Sequence, residues 1–80
     1  MIVIKDIPIS SVVVENDQIL RTLDYRILPL VEHLRSGRRT EHIWVIKIDD
    51  THYKLTDGYH RYVAHKLLEK EFIEARFGVV

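Results

Sequence analysis

The spacing of apolar positions changes period several times along the chain, and each change predicts an element. Ile2-Val3-Ile4-Lys5 opens as a short β-rich run. Pro8 interrupts it, so Ile7 to Ser11 is expected as an edge strand or a bend. Val12-Val13-Val14 resumes as a strand or a packed loop, and Glu15-Asn16-Asp17 is a turn signal. From Ile19 to Ser36 the period becomes helical, with Leu23, Ile27, Leu30, Val31 and Leu34 forming one apolar stripe. Proline inside a helix removes a backbone hydrogen bond. The expectation is therefore a short turn over Ile19 to Tyr25, then a helix with Pro29 in its first turn. Gly37 is placed to end that helix, and Arg35 suits its last turn.

Ile43 to Ile48 predicts a strong strand, with Trp44, Ile46 and Ile48 apolar on one face. Asp49-Asp50 is a turn, and His52 to Thr56 follows as a strand with Tyr53 and Leu55 inward, close enough to form a hairpin. Tyr59 to Lys70 predicts a helix with Asp57 as its N-cap. Val63, Ala64, Leu67 and Leu68 form its packed stripe, while Arg61, His65 and Glu69 share another face. Phe72 to Phe77 alternates as a last strand with Ile73, Ala75 and Phe77 inward. The order is β, (β), α, β, β, α, β. It predicts an α+β fold, a small mixed β-sheet with two main helices packed against it.

Length sharpens this to one small domain over residues 1–80. A domain of this size buries about 60–65% of its unfolded surface, so modest stability is expected unless a partner adds interface. Twelve basic residues balance twelve acidic ones, which argues against a whole-surface nucleic-acid clamp. The distribution is uneven: Arg21, Arg26, Arg35, Arg38 and Arg39 against Asp24 and Glu32 make one segment locally +3. An ordinary solvated helix face is the simpler account of that charge, and a phosphate-tracking patch the other. The chain has no cysteine, which removes disulfides, thiol catalysis and cysteine-ligated metals. There is no signal-peptide pattern, and no apolar run approaches the roughly 18 residues of a membrane span. A soluble, cytoplasmic protein without a membrane partner is expected. The five histidines share no tight ligand spacing.

The junction Thr56-Asp57-Gly58-Tyr59-His60-Arg61 concentrates the chemistry, because a strand pattern stops there and a helix pattern starts. A helix start offers unpaired N–H groups and the positive end of the dipole, which suits an anion. His60 and Arg61 extend this to a phosphate-binding hypothesis. Asp57 has two readings: a helix cap, or an acid that orients a hydroxyl or holds Mg²⁺ beside phosphates. Gly58 serves a close backbone approach to a ligand, or simply a tight turn. Tyr53, Tyr59 and Tyr62 could stack a base, although core packing is the cheaper account.

The same motifs, in this order, resemble the ParB/sulfiredoxin-like superfamily, also called the ParB-like nuclease domain, over nearly the whole chain. The resemblance rests on Ile7-Pro8-Ile9, Leu30-Val31-Glu32-His33-Leu34-Arg35, Ile43-Trp44-Val45-Ile46, Tyr53 to Arg61, Ala64-His65-Lys66-Leu67-Leu68 and Phe72-Ile73-Glu74-Ala75. It implies a nucleotide phosphate, or a similar anion, held at the strand–helix junction. It does not fix the reaction, since the superfamily includes CTP-binding partition proteins, ATP-using sulfiredoxins, serine kinases and nucleases. In sulfiredoxins a cysteine stands where this chain has Tyr59, so that repair chemistry is absent. Phosphate contact carries over to His60 and Arg61, with Gly58 and Tyr59 in the same run. Along the first helix, a basic residue and two hydroxyl residues of sulfiredoxins align with Arg26, Pro29 and His33. Arg26 preserves the charge, while Pro29 has no donor and His33 replaces a hydroxyl. Glu32 lies where serine-kinase relatives draw a base.

The implied function is a nucleotide- or nucleic-acid-phosphate-binding domain, DNA-associated, with ATP, ADP or CTP and Mg²⁺ as cofactors. One alternative is a metal-dependent nuclease or a small phosphotransferase using Asp57 and Glu32, with Asp57 on the metal. The other is an interaction domain whose ligand site has decayed. Implied partners are a nucleotide or nucleic acid, a second copy in a homo-oligomer, or a larger protein.

Overall fold

The computed structural model describes residues 1–15 and 26–79. Strand β1 spans Ile2–Pro8, a 3-10 turn Ile9–Ser11, and β2 Val12–Val13. Helix α1 spans Ile27–Arg35, β3 Ile43–Asp49 and β4 His52–Asp57. Helix α2 spans Tyr59–Leu67 and β5 Phe72–Gly78. The strands form one five-stranded sheet in the order β1-β5-β3-β4-β2. The β1–β5 and β3–β4 pairs are antiparallel, while β3–β5 and β2–β4 are parallel. The architecture is the expected α+β domain with a mixed sheet and two helices.

Pro8 does not end the first strand. It pairs with Phe72 at the sheet edge, where a missing N–H costs no ladder bond on the open side. The bend follows immediately, closed by the Ser11 hydroxyl donating to the Pro8 carbonyl at 2.6 Å. The turn expected over Ile19 to Tyr25, with Leu23, lies outside the described residues. Pro29 occupies the third position of α1, where an N–H would have no intrahelical acceptor, so the helix forms as expected. Gly37 ends it at a φ of 85°. The Gly37 N–H reaches the Leu34 carbonyl and the Arg38 N–H the His33 carbonyl, the paired bonds of a Schellman motif.

Helix α2 stops short of Lys70 for the same reason. Glu69 takes a φ of 55°, and its N–H and that of Lys70 close back on Lys66 and His65. A β-carbon in the left-handed region costs about 1–2 kcal/mol, which glycine avoids. Glu69→Gly is therefore expected to stabilise the fold by about 1 kcal/mol, raising the melting temperature by roughly 5 °C in a domain of this size. A thermal melt checks it, and a lower melting temperature would refute the argument.

The core takes Ile27, Val31 and Leu34 from α1, and Tyr62, Val63 and Ala64 from α2. Against them lie Ile7, Ile43, Val45, Tyr53, Leu55, Ile73, Ala75 and Phe77 of the sheet. The inward faces expected for β4 and β5 are observed. Tyr53 packs on Phe77 with ring centroids 5.1 Å apart.

Two expectations are corrected. The apolar face of β3 that carries Trp44, Ile46 and Ile48 is the outer one; Ile43 and Val45 are the buried pair. Leu67 is exposed rather than part of the α2 stripe, because the helix ends there. His65, one turn from Arg61 as expected, is itself buried. Its Nδ1–H donates to the Arg61 carbonyl at 2.6 Å, and burial pushes the imidazole pKa below its usual 6.5. At the hairpin turn, Asp49 accepts from the Thr51 N–H at 2.8 Å and contacts His52. Those bonds lower its pKa to about 2.

Candidate functional site

The strand–helix junction opens on a cleft of about 480 Å³. Its walls are Arg26, Pro29 and Leu30 from the start of α1, with Asp57, Gly58, Tyr59, His60 and Arg61 from the start of α2. Two helix N-termini therefore converge on one concavity. Among the described residues, neither N-cap residue makes a side-chain cap bond. The first backbone bond of α2 runs from the Tyr62 N–H to the Gly58 carbonyl at 3.0 Å. Helix geometry leaves the N–H groups of Tyr59, His60 and Arg61 without intrahelical acceptors. First-turn residues of both helices thus border the same space, joined by the Arg26 charge.

Gly58 makes this geometry. Its φ of 93° and ψ of 30° turn the chain from β4 into α2. A β-carbon there would also sit 2.9 Å from Ile43 Cγ2 and 3.2 Å from Ile43 Cα. The tight turn expected at Gly58 is observed, and the close backbone approach there is to the central strand. Asp57 is not the N-cap. It is the last residue of β4, paired with Trp44, and Gly58 takes the cap position. The strand runs one residue further than its sequence pattern, and the left-handed Gly58 stands between Asp57 and the helix.

Tyr59 packs against the core, and its hydroxyl donates toward the Leu55 and Thr56 carbonyls at 3.3 and 3.2 Å. The phenol thereby ties the helix start to the end of β4. Arg61 borders the cleft, yet its guanidinium reaches the loop before β3. Nη1 donates to the His42 carbonyl at 2.9 Å, and Nη2 lies 3.5 Å from Glu41 Oε2. Anion contact by Arg61 competes with those bonds, whereas its backbone N–H carries no such commitment. His60 is half-buried on the cleft wall.

Two expected site residues stand apart. His33 does not line the cleft; its Nε2 donates to the Arg39 carbonyl at 2.8 Å and closes the loop after α1. Glu32 is exposed and pairs with Arg35 at 3.0 Å. Asp57 is the one carboxylate on the cleft wall among the described residues. No cluster of three metal-ligating side chains occurs among them. A single carboxylate suits Mg²⁺ only when phosphate oxygens complete its shell. Leu30 is the cleft residue not singled out from sequence. Its place in the apolar stripe concealed that it sits beside Pro29 at the mouth.

This fold is the one shared by sulfiredoxin and the ParB N-domain. The chain superposes on sulfiredoxin from Arabidopsis thaliana with a TM-score of 0.76 at 23% identity, covering 98% of this chain and 86% of that one. It superposes on the chromosome-partitioning protein ParB from Caulobacter crescentus, complexed with CTP-gamma-S, with a TM-score of 0.76 at 20% identity. That match covers 98% of this chain and 45% of the ParB chain. A conserved hypothetical protein from Pyrococcus furiosus gives a TM-score of 0.71 at 18% identity, over 94% of this chain and 32% of that one. The chain spans under half the length of the ParB and Pyrococcus proteins it matches. No protein-family model and no curated protein matches the sequence. With no cysteine, the chain lacks the thiol of a sulfiredoxin and is not one. No described helix is long and apolar enough to cross a membrane.

Proposed function

We propose that this domain binds the phosphate groups of a nucleotide, or of a nucleic acid, in the cleft between the starts of α1 and α2. The observation that carries the reading is a concavity bordered by the first turns of both helices, with the N–H groups at the start of α2 without intrahelical acceptors and with Arg26 and His60 on its lining. Backbone N–H groups of Tyr59, His60 and Arg61 at the start of α2 recognise the anion, Arg26 adds charge from the α1 wall, and His60 adds a ring nitrogen. A nucleoside triphosphate is the favoured ligand, because the structurally similar ParB is complexed with CTP-gamma-S. Mg²⁺ would enter with the phosphates, shared with Asp57, and would neutralise charge that the carboxylate otherwise repels. Association with DNA is part of the same proposal, supported by the likeness to a chromosome-partitioning protein.

Binding is preferred to nuclease or phosphotransferase chemistry on the placement of the acids. Asp57 is at the cleft, while Glu32, Asp49 and Asp50 lie outside its lining. A metal-assisted displacement on this chain would have one carboxylate to position both the ion and the nucleophile.

Thermal denaturation with ATP, ADP and CTP, with and without Mg²⁺, tests the reading. At about a hundredfold excess over Kd, a bound nucleotide stabilises the fold by about 2.7 kcal/mol, roughly 10–20 °C in a domain of this size. Arg26→Ala is expected to weaken that response about tenfold in apparent affinity, the worth of one charge-assisted hydrogen bond. The unliganded melting temperature of Arg26→Ala is the reference against which its shift is read. No shift with any nucleotide at millimolar concentration, or an undiminished shift in Arg26→Ala, would overturn the assignment.

A further inference from the structure

The face of the sheet away from the helices is apolar where it should be polar. An antiparallel or mixed sheet with one face in water normally alternates apolar inward and polar outward. Here β3, the central strand, turns Trp44, Ile46 and Ile48 outward at 41%, 58% and 56% exposure. Register extends the strip across the sheet. Ile4 of β1 pairs with Arg76, and Arg76 pairs with Trp44. Ile46 pairs with Lys54, and Lys54 with Val13 of β2. Ile2, Ile4 and Val13 are exposed as well. The Arg76 guanidinium carbon lies over Trp44, 4.0 Å from the ring centroid, a cation–π contact that restrains the indole.

We propose that this outer sheet face is an interface with a second copy of the chain, paired about a two-fold axis passing through Trp44. Three observations favour that occupant. The first is area. The exposed apolar side chains present on the order of 600 Å², at the top of the range for the largest patch on a monomer. Two copies face to face would bury on the order of 1,200 Å², the lower bound of a specific interface. The second is charge pattern. Glu74 precedes Arg76 by two residues on β5 and pairs with Asp6, so both acids lie to one side of Trp44. Lys54, opposite Ile46, lies to the other side and across the sheet. An axis through Trp44 sets Lys54 of each copy against Glu74 and Asp6 of the other. Within one copy Lys54 reaches the exposed Glu15 at 3.3 Å, a contact it can exchange at little cost. The third is net charge: it is formally zero, so two copies approach without long-range repulsion. Asp57 of the cleft wall pairs with Trp44 at the border of this face, yet self-association is read without any ligand and stands or falls apart from the proposed function.

Trp44 is the chain's one tryptophan, so its fluorescence reports on this face alone. Sedimentation velocity from low to high micromolar protein is expected to show the mass doubling. Trp44 emission should shift to the blue over the same concentrations as the indole leaves water. Ile46→Glu should remain monomeric at every concentration with an unchanged circular dichroism spectrum, since Ile46 is exposed in one copy. Lys54→Glu should weaken association at least tenfold. Leu28→Glu, on the exposed side of α1, should dimerise like the wild type. A wild-type monomer throughout, a dimer without the emission shift, or a dimer broken by Leu28→Glu and spared by Ile46→Glu would each overturn the proposal.

Discussion

Gly58→Ala is expected to lower stability by about 3 kcal/mol, the sum of two separate costs at one position. Alanine in the left-handed region loses about 1–2 kcal/mol, because its β-carbon crowds the following carbonyl oxygen. The new methyl also meets Ile43 Cγ2 at 2.9 Å, with Ile43 Cα and Cβ each at 3.2 Å. Those atoms belong to a wholly buried residue on the central strand and have nowhere to move. Overpacking of this kind costs about 1–3 kcal/mol. In a domain of this size the total corresponds to a fall of roughly 15–20 °C in melting temperature. A double-mutant cycle separates the costs. In an Ile43→Ala background, the Cγ2 contact is gone and Gly58→Ala should cost less, down toward the backbone cost alone. Additive effects would show that the close approach carries no energy.

Ile43→Ala alone is expected to cost about 2–5 kcal/mol, as truncation of a buried Ile does when its surroundings cannot collapse into the space. Ile43 is 0% exposed, and its strand sits between β5 and β4, so both neighbours are held by their own ladders. Small domains have total stabilities near the lower end of about 5–15 kcal/mol, so the variant should be partly unfolded near room temperature. Urea titration measures the loss. Ile43→Val keeps Cγ2, removes one methyl, and should cost only about 1 kcal/mol. The loss also bears on the cleft, because Gly58 rests on Ile43 where β4 hands over to α2. If the cleft holds a nucleotide, saturating ligand should recover part of the stability of Ile43→Ala by mass action, since the unfolded chain has no cleft. A midpoint unchanged by truncation of Ile43 would contradict the packing described here.

Much of the candidate site was legible because it is local. Gly58, Tyr59, His60 and Arg61 are contiguous, and a strand pattern giving way to a helix pattern places them at a helix start wherever the domain puts that helix. The Asp57 cap was misread because one residue of strand length decides whether a carboxylate caps a helix or ends a ladder. That length is set by pairing with Trp44, on a different strand. His33 and Arg26 lie on the same helix, yet only Arg26 reaches the cleft. The loop after α1 captures His33 through the Arg39 carbonyl, a contact that no spacing along the helix encodes. The capture of the Arg61 guanidinium by the His42 carbonyl, across 19 residues of sequence, was equally invisible.

The same division holds for the whole protein. Sequence alone determined the kinds of elements, their order, the position of Pro29 in a first turn and the stop at Gly37, because those depend on periods and dihedral preferences within a few residues. It also determined that no thiol chemistry is available. Only the tertiary structure decided which face of β3 is buried. Alternation marks two faces on a strand, but its apolar outer set, Trp44, Ile46 and Ile48, outweighs the inner pair in bulk. The choice fell to Ile43 and Val45 because the helices cover that side, where Gly58 leaves room for Ile43. Burial is a property of neighbours brought from distant parts of the chain, and the register that brings them is set by the sheet as a unit.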